Sequence, residues 1–178
     1  MIDQRPAEVE TKQRAGHWKG DLTLGVGCRS AMMTLRERKT QYGIVINLPA
    51  DHTAETVNDA AIKAFAALPP YLKRTLTWDE GVEMARHREL AAATGVKIYF
   101  GERCSPWQRG ANESYNGLLR QYFPKGTDLS RHSDAHVAAV MHELNTRPRK
   151  GLAYDTPAAR FCAEARRRAP EDIVAAGC

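Results

Sequence analysis

Three strand-like segments fall within residues 17–48, joined by links too short to hold a helix. Two more, at 75–78 and 96–100, are each reached through a helical stretch. Short links between neighbouring strands make antiparallel hairpins, whereas a crossover helix delivers a strand parallel to its neighbour. The spacing therefore predicts an α/β chain with a mixed five-stranded sheet, its first three strands antiparallel and its last two parallel, flanked by helices.

The residue pattern supports each element. His17, Lys19, Asp21 and Thr23 alternate with Trp18, Gly20, Leu22 and Leu24, the two-residue period of a strand with two different faces. Gly25 to Arg29 reads as a turn, and Ala31 to Arg36 as the second strand. Tyr42 to Leu48 is almost continuously apolar, as a central strand requires. Thr53 is an expected helix N-cap, and Pro69-Pro70 stops the helix that follows it. A helix from about Met84 to Ala93 should end at Gly95, and one from Asn112 to Phe123 at Pro124. Further helices are expected at 133–145 and 156–165. Residues 1–15 read as a tail or linker, 16–165 as one catalytic core and 166–178 as a C-terminal tail.

Composition narrows the class. A 178-residue chain with 43% hydrophobic and 26% charged residues can bury a core. Its formal charge of +5 favours a polyanionic partner, because Lys and Arg displace counterions from phosphates. Cys28, Cys104, Cys162 and Cys178 lack the spacing of a zinc site or a disulfide framework. The N-terminus has no apolar signal segment and no stretch is long and apolar enough to span a bilayer, so the expectation is a cytoplasmic protein, nucleoid-associated when on DNA, with no membrane partner.

Three carboxylates carry the chemical expectation: Asp21 on the first strand, Asp79 at the end of the fourth, and Glu113 at the start of a helix. Open α/β sheets place their sites at the carboxyl ends of strands. Hard divalent cations, Mg2+ or Mn2+, prefer oxygen ligands, and a pair of them can serve both oxygens of a phosphodiester displacement. Without metal, three such carboxylates repel one another. Taken singly, each has an ordinary explanation as a turn, cap or helix-dipole residue. Spacing leaves Glu37, Asp51, Glu55 and Glu80 as rivals. Trp107, Gln108 and Arg109 lie in a loop beside Glu113, where they are candidates for stacking on bases and binding phosphate. Asn112, Asn116, Arg120 and Lys125 extend that candidate DNA surface, with Asn116 and Arg120 on the helical face of Glu113. Lys19 points the same way as Asp21 and is a further candidate phosphate contact. His132 and His136, four residues apart, lack a partner to complete a metal site.

Several ordered motifs then resemble one family. They are His17-Trp18-Lys19-Gly20-Asp21, Thr77-Trp78-Asp79-Glu80-Gly81, Ser105 to Gly110, Asn112-Glu113, Gly117 to Asp128 and Leu144 to Lys150. Together, from about Arg5 to about Phe161, they resemble the IS-thirty family of bacterial insertion-sequence transposases. The resemblance implies a ribonuclease H-like integrase core and an Asp-Asp-Glu triad at Asp21, Asp79 and Glu113. It also implies divalent-metal-dependent cleavage and strand transfer on double-stranded DNA, at element ends and target, by a homo-oligomer. Lys19 and Glu80 depart from the Glu and Gln usual in that family, while the triad is intact. Full-length relatives carry an N-terminal helix-turn-helix region, and this chain is expected to begin near the core. Two other functions fit the same residues: an inactive remnant that only binds DNA, and a ribonuclease H-type nuclease without joining activity.

Overall fold

A computed structural model describes residues 5–79, 81–101 and 110–167, with only the helical backbone for 110–113. Its sheet has the order β3-β2-β1-β4-β5, formed by β1 (His17–Leu24), β2 (Ala31–Glu37), β3 (Gly43–Leu48), β4 (Thr75–Trp78) and β5 (Lys97–Phe100). β1 pairs antiparallel with β2, and β2 antiparallel with β3. β1 pairs parallel with β4, and β4 parallel with β5. The expected mixed sheet is therefore observed, and its architecture fits a ribonuclease H-like fold. β1 is the central strand, where the antiparallel and parallel halves meet. β3, expected to be central from its apolar run, lies at the edge, and the run reflects cover on both its faces, Ile44 and Ile46 toward one core and Val45 toward the other.

The two faces of the sheet bury different sets of side chains. On one face Trp18, Met33, Leu35, Leu76 and Trp78 pack with Val57, Ala61 and Phe65 of α2 (Ala54–Ala66), Leu90 of α3 (His87–Thr94) and Phe161 of α6 (Pro157–Arg167). Trp18 meets Phe65 and Phe161 edge-on, and its Nε1 donates to Leu72 O at 2.7 Å. The buried indole thus keeps a hydrogen-bond partner, as a Trp taken out of water requires. On the opposite face Met32 and Val45 pack with Tyr115 and Leu119 of α4 (Gly110–Leu119), with Phe123 and Leu129, and with Val137, Val140 and Leu144 of α5 (Asp134–Thr146). The sheet is the middle of three layers.

Local chemistry sets most helix ends. Thr53 and Ser133 accept hydrogen bonds from the N–H groups of Thr56 and His136, capping α2 and α5. Gly95 closes α3 in the left-handed region, at φ +75°, with its N–H on Ala91 O. Residues 82–84 form a separate 3₁₀ turn, so α3 begins later than its sequence pattern suggests. α4 ends at Leu119, short of the expected Phe123. Gln121 and Tyr122 donate back to carbonyls three residues earlier, which tightens the chain into turns.

Residues 5–15 pack on the sheet. Their short helix α1 (Glu8–Thr11) buries Val9 completely, and Arg38 Nε donates to Val9 O at 3.2 Å. Arg5 Nη1 donates to Thr77 Oγ1 at 3.0 Å, so this segment forms a strap across the strands on the α4–α5 side.

Candidate active site

The register of the parallel pair brings Asp21 and Asp79 together. His17 faces Thr75, Trp18 faces Leu76 and Lys19 faces Thr77 across β1 and β4. Continuing that register sets Asp21 beside Asp79. Because side chains alternate, His17, Lys19 and Asp21 share a face with Thr75, Thr77 and Asp79. His17 Nδ1 and Thr75 Oγ1, 2.9 Å apart, confirm the facing on the lowest rung.

Asp21 is half-buried at the open end of this column. Its Oδ1 accepts from Leu22 N at 2.9 Å and its Oδ2 from Asn116 Nδ2 at 2.7 Å. Burial raises its carboxyl above the ordinary range, and the negative charge of Asp79 raises it further. The hydrogen bonds from Leu22 and Asn116 and the charge of Lys19 act in the opposite direction. Two converging carboxylates, one of them made costly by burial, form a setting in which an oxygen-preferring cation gains most. The donor set therefore fits a divalent ion. Among the described residues, no group of three His, Cys, Asp or Glu side chains is assembled. Of Glu113, only the helical backbone is described.

α4 reaches the site through Asn116. Besides its bond to Asp21, its Oδ1 lies 3.4 Å from Thr34 Oγ1, whose hydroxyl also approaches Asp21 O at 3.3 Å. The residue expected on a DNA surface is therefore a direct partner of the first carboxylate. Glu113 stands three positions earlier in the same helix, one turn toward its N-terminus. Arg120, four positions after Asn116, turns its Nη2 to Leu24 O at 3.5 Å, at the same end of β1. Lys125 is exposed beyond the helix. Trp107, Gln108 and Arg109 lie outside the described residues, and Asn112 is described by its helical backbone alone.

The rival carboxylates have other work. Glu37 is fully buried on the far side of the sheet, accepting from Gly16 N, Thr40 N and Thr40 Oγ1 at 3.0, 2.6 and 2.7 Å. Asp51 accepts from Thr53 and Thr56 ahead of α2, and Glu55 pairs with Arg86. Glu80 lies outside the described residues. His132 and His136 stack at 5.3 Å and meet the edge of Phe123. Arg147 and Arg149, basic in sequence, brace the fold by bonding Tyr122, Glu143 and Leu144 O.

Arg5 gives no local sequence signal of its burial, since it lies in a mostly polar stretch. Its side chain is only 7% exposed, and it pairs with Glu10, which also pairs with Arg38. The only local hint was Val9, an isolated apolar residue in a polar stretch.

The family model described as "Integrase core domain" matches residues 11–106, which include Asp21 and Asp79 and stop before Glu113. The transposase for insertion element IS1086 of Cupriavidus metallidurans is 47% identical over 156 residues, covering 88% of this chain and 46% of the relative. Transposase InsI for insertion element IS30A of Escherichia coli K12 is 44% identical over 156 residues, covering 88% of this chain and 40% of its own. The transposase for insertion element IS4351 of Bacteroides fragilis is 38% identical over 160 residues, covering 90% and 48%. The chain thus spans less than half the length of these curated relatives.

Proposed function

Since this chain belongs to the integrase core domain family, we propose that it is the catalytic core of an insertion-sequence transposase, cutting DNA at element ends and joining those ends to a target. The observation that carries this reading is the shared rung of Asp21 and Asp79, reached from α4 by Asn116. Glu113 stands three positions before Asn116 in α4, a helical spacing that supports including it. Asp21, Asp79 and Glu113 are the proposed oxygen ligands of divalent cations. Bound there, such ions supply charge stabilisation for the entering and leaving oxygens of phosphodiester displacement.

The chain's own groups prepare that chemistry. Asn116 and Leu22 each hold one oxygen of Asp21, fixing the plane of its carboxylate. Arg120 and Lys125 stand on the α4 side, where cationic groups position phosphate without reading sequence. Trp107, Gln108, Arg109, Asn112 and Asn116 complete the proposed DNA-facing set, with Asn116 holding the carboxylate as well; Lys19, expected to touch phosphate, is only 4% exposed and leaves that set. Joining two ends requires more than one active site, so a homo-oligomer on DNA is part of the proposal. No described helix is long and apolar enough to cross a membrane, and the proposed location is the cytoplasm.

The test supplies a pre-cleaved, labelled element end and target DNA with Mg2+. A joined product supports the transposase reading. Cleavage without joining indicates a nuclease, and binding alone a DNA-binding remnant. Asp79→Asn should abolish joining while leaving DNA affinity equal or slightly higher, since one charge repelling phosphate is gone. Turnover near wild type in that variant overturns the assignment.

A further inference from the structure

Lys19 is buried at 4% exposure, deeper than either carboxylate on its face. A buried ammonium is costly unless opposite charge compensates it. Its position one rung below Asp21 and Asp79, across from Thr77, supplies that compensation. Burial lowers the ammonium below the usual lysine range, and Asp79, then Asp21, work against that loss by favouring the charged form. The other cations nearby belong to Arg5, bonded to Thr77, and to Arg38. Both repel the ammonium, while the carboxylates on the next rung attract it. The face therefore has an internal order of charge: Arg5 and Lys19 at the Thr77 rung, carboxylates at the open end.

Resting on the reading of Asp21 and Asp79 as metal ligands, we propose that Lys19 is a resident counter-cation of that pair. It neutralises part of the carboxylate charge in the metal-free protein, and it weakens divalent-ion binding there. A fixed positive charge beside the carboxylates opposes an incoming dication directly. The same charge relieves the repulsion between Asp21 and Asp79, so the fold does not depend on metal to tolerate them. Lys19 is thus a specificity-setting neighbour of the site, separate from any contact with DNA.

The experiment titrates Mn2+ into the metal-free chain by calorimetry, comparing wild type with Lys19→Gln, Lys19→Met and Asp79→Asn, and records thermal melts in EDTA and in Mn2+. Removing a unit charge one rung from the carboxylates should tighten Mn2+ binding about tenfold or more in both neutral variants. Their melts in EDTA should fall below wild type, and Mn2+ should restore them more than it raises wild type. Mn2+ affinity within about twofold of wild type, a difference well under 1 kcal/mol, overturns the proposal. Failure of both neutral variants to fold with or without Mn2+ overturns it as well. Asp79→Asn separates the two readings. If it leaves Mn2+ binding unchanged, the carboxylate site itself is wrong. If it weakens binding while the Lys19 variants behave as wild type, only the role of Lys19 is lost.

Discussion

Gly20 lies against the indole of Trp78, so closely that a Cβ on Gly20 would come within 2.0 Å of Trp78 Cε3 and Cζ3. These two residues immediately precede Asp21 and Asp79. The contact lies on the side of the sheet opposite the carboxylates, so it sets the separation of β1 and β4 from behind. Gly20→Ala should therefore destabilise the protein by roughly 1–3 kcal/mol through overpacking. Each kcal/mol lowers the melting temperature by about 2–4 °C in a domain of this size. An unchanged melt would show that the strands can part without cost.

Asp21 gives a signed pH prediction. Burial and the nearby charge of Asp79 raise its folded carboxyl above the unfolded value. A raised carboxyl contributes stability that is fully present below its unfolded pKa of about 4 and is lost as pH rises through the folded pKa. Asp21→Asn escapes that loss. In metal-free buffer, the melting temperature of Asp21→Asn relative to wild type should climb as pH rises from about 4 to 7. A difference independent of pH would mean that Asp21 is not penalised by its surroundings.

Asn116 is expected to matter more for chemistry than for folding. Its Nδ2 holds Asp21 Oδ2 at 2.7 Å from a half-buried position. Removing a group that orients a metal ligand typically costs about 10–100-fold in metal affinity or activity. Asn116→Ala should show that loss in strand transfer or Mn2+ binding, with a melt close to wild type. Full activity in the variant would reduce the contact to a surface hydrogen bond.

Tyr115 and Asn145 should respond in opposite directions. Tyr115 Oη is buried against Gly43 with no hydrogen-bond partner among the described residues, and burial pushes its hydroxyl up to about 12. Tyr115→Phe removes an unsatisfied group and should be neutral or stabilising by about 1 kcal/mol. Asn145 accepts from Gly43 N at 2.9 Å and donates to Gly43 O at 2.8 Å. Asn145→Ala strands both backbone groups and should cost about 1–3 kcal/mol for each. Denaturant melts of the two variants decide the signs.

Much of this architecture was legible in the residue order. The alternation of Trp18, Gly20 and Leu22 with Lys19 and Asp21 placed the carboxylate on the correct face of β1. The bounds expected for β4, Thr75 to Trp78, are those observed, because a short apolar run lies between turn residues. Arg5 was not legible, because its burial depends on a hydrogen bond to Thr77, 72 positions away. Nor was the dual engagement of Asn116: periodicity gives the side of a helix, and only packing gives the atom it touches. The expected DNA contacts at Trp107, Gln108 and Arg109 fall outside the described residues.

The position of β1 between the two halves of the sheet has a consequence for how the molecule comes together. The β1–β2–β3 meander closes through neighbouring segments, whereas the rung joining His17 to Thr75 spans 58 positions. Long loops close at a larger entropic cost, and non-local pairings slow folding. Asp21 therefore lies in the locally closed part of the sheet and gains Asp79 as a neighbour only when β4 docks. Mutual repulsion between the two acids opposes that docking, so the same β1–β4 pairing that completes the sheet also assembles the site.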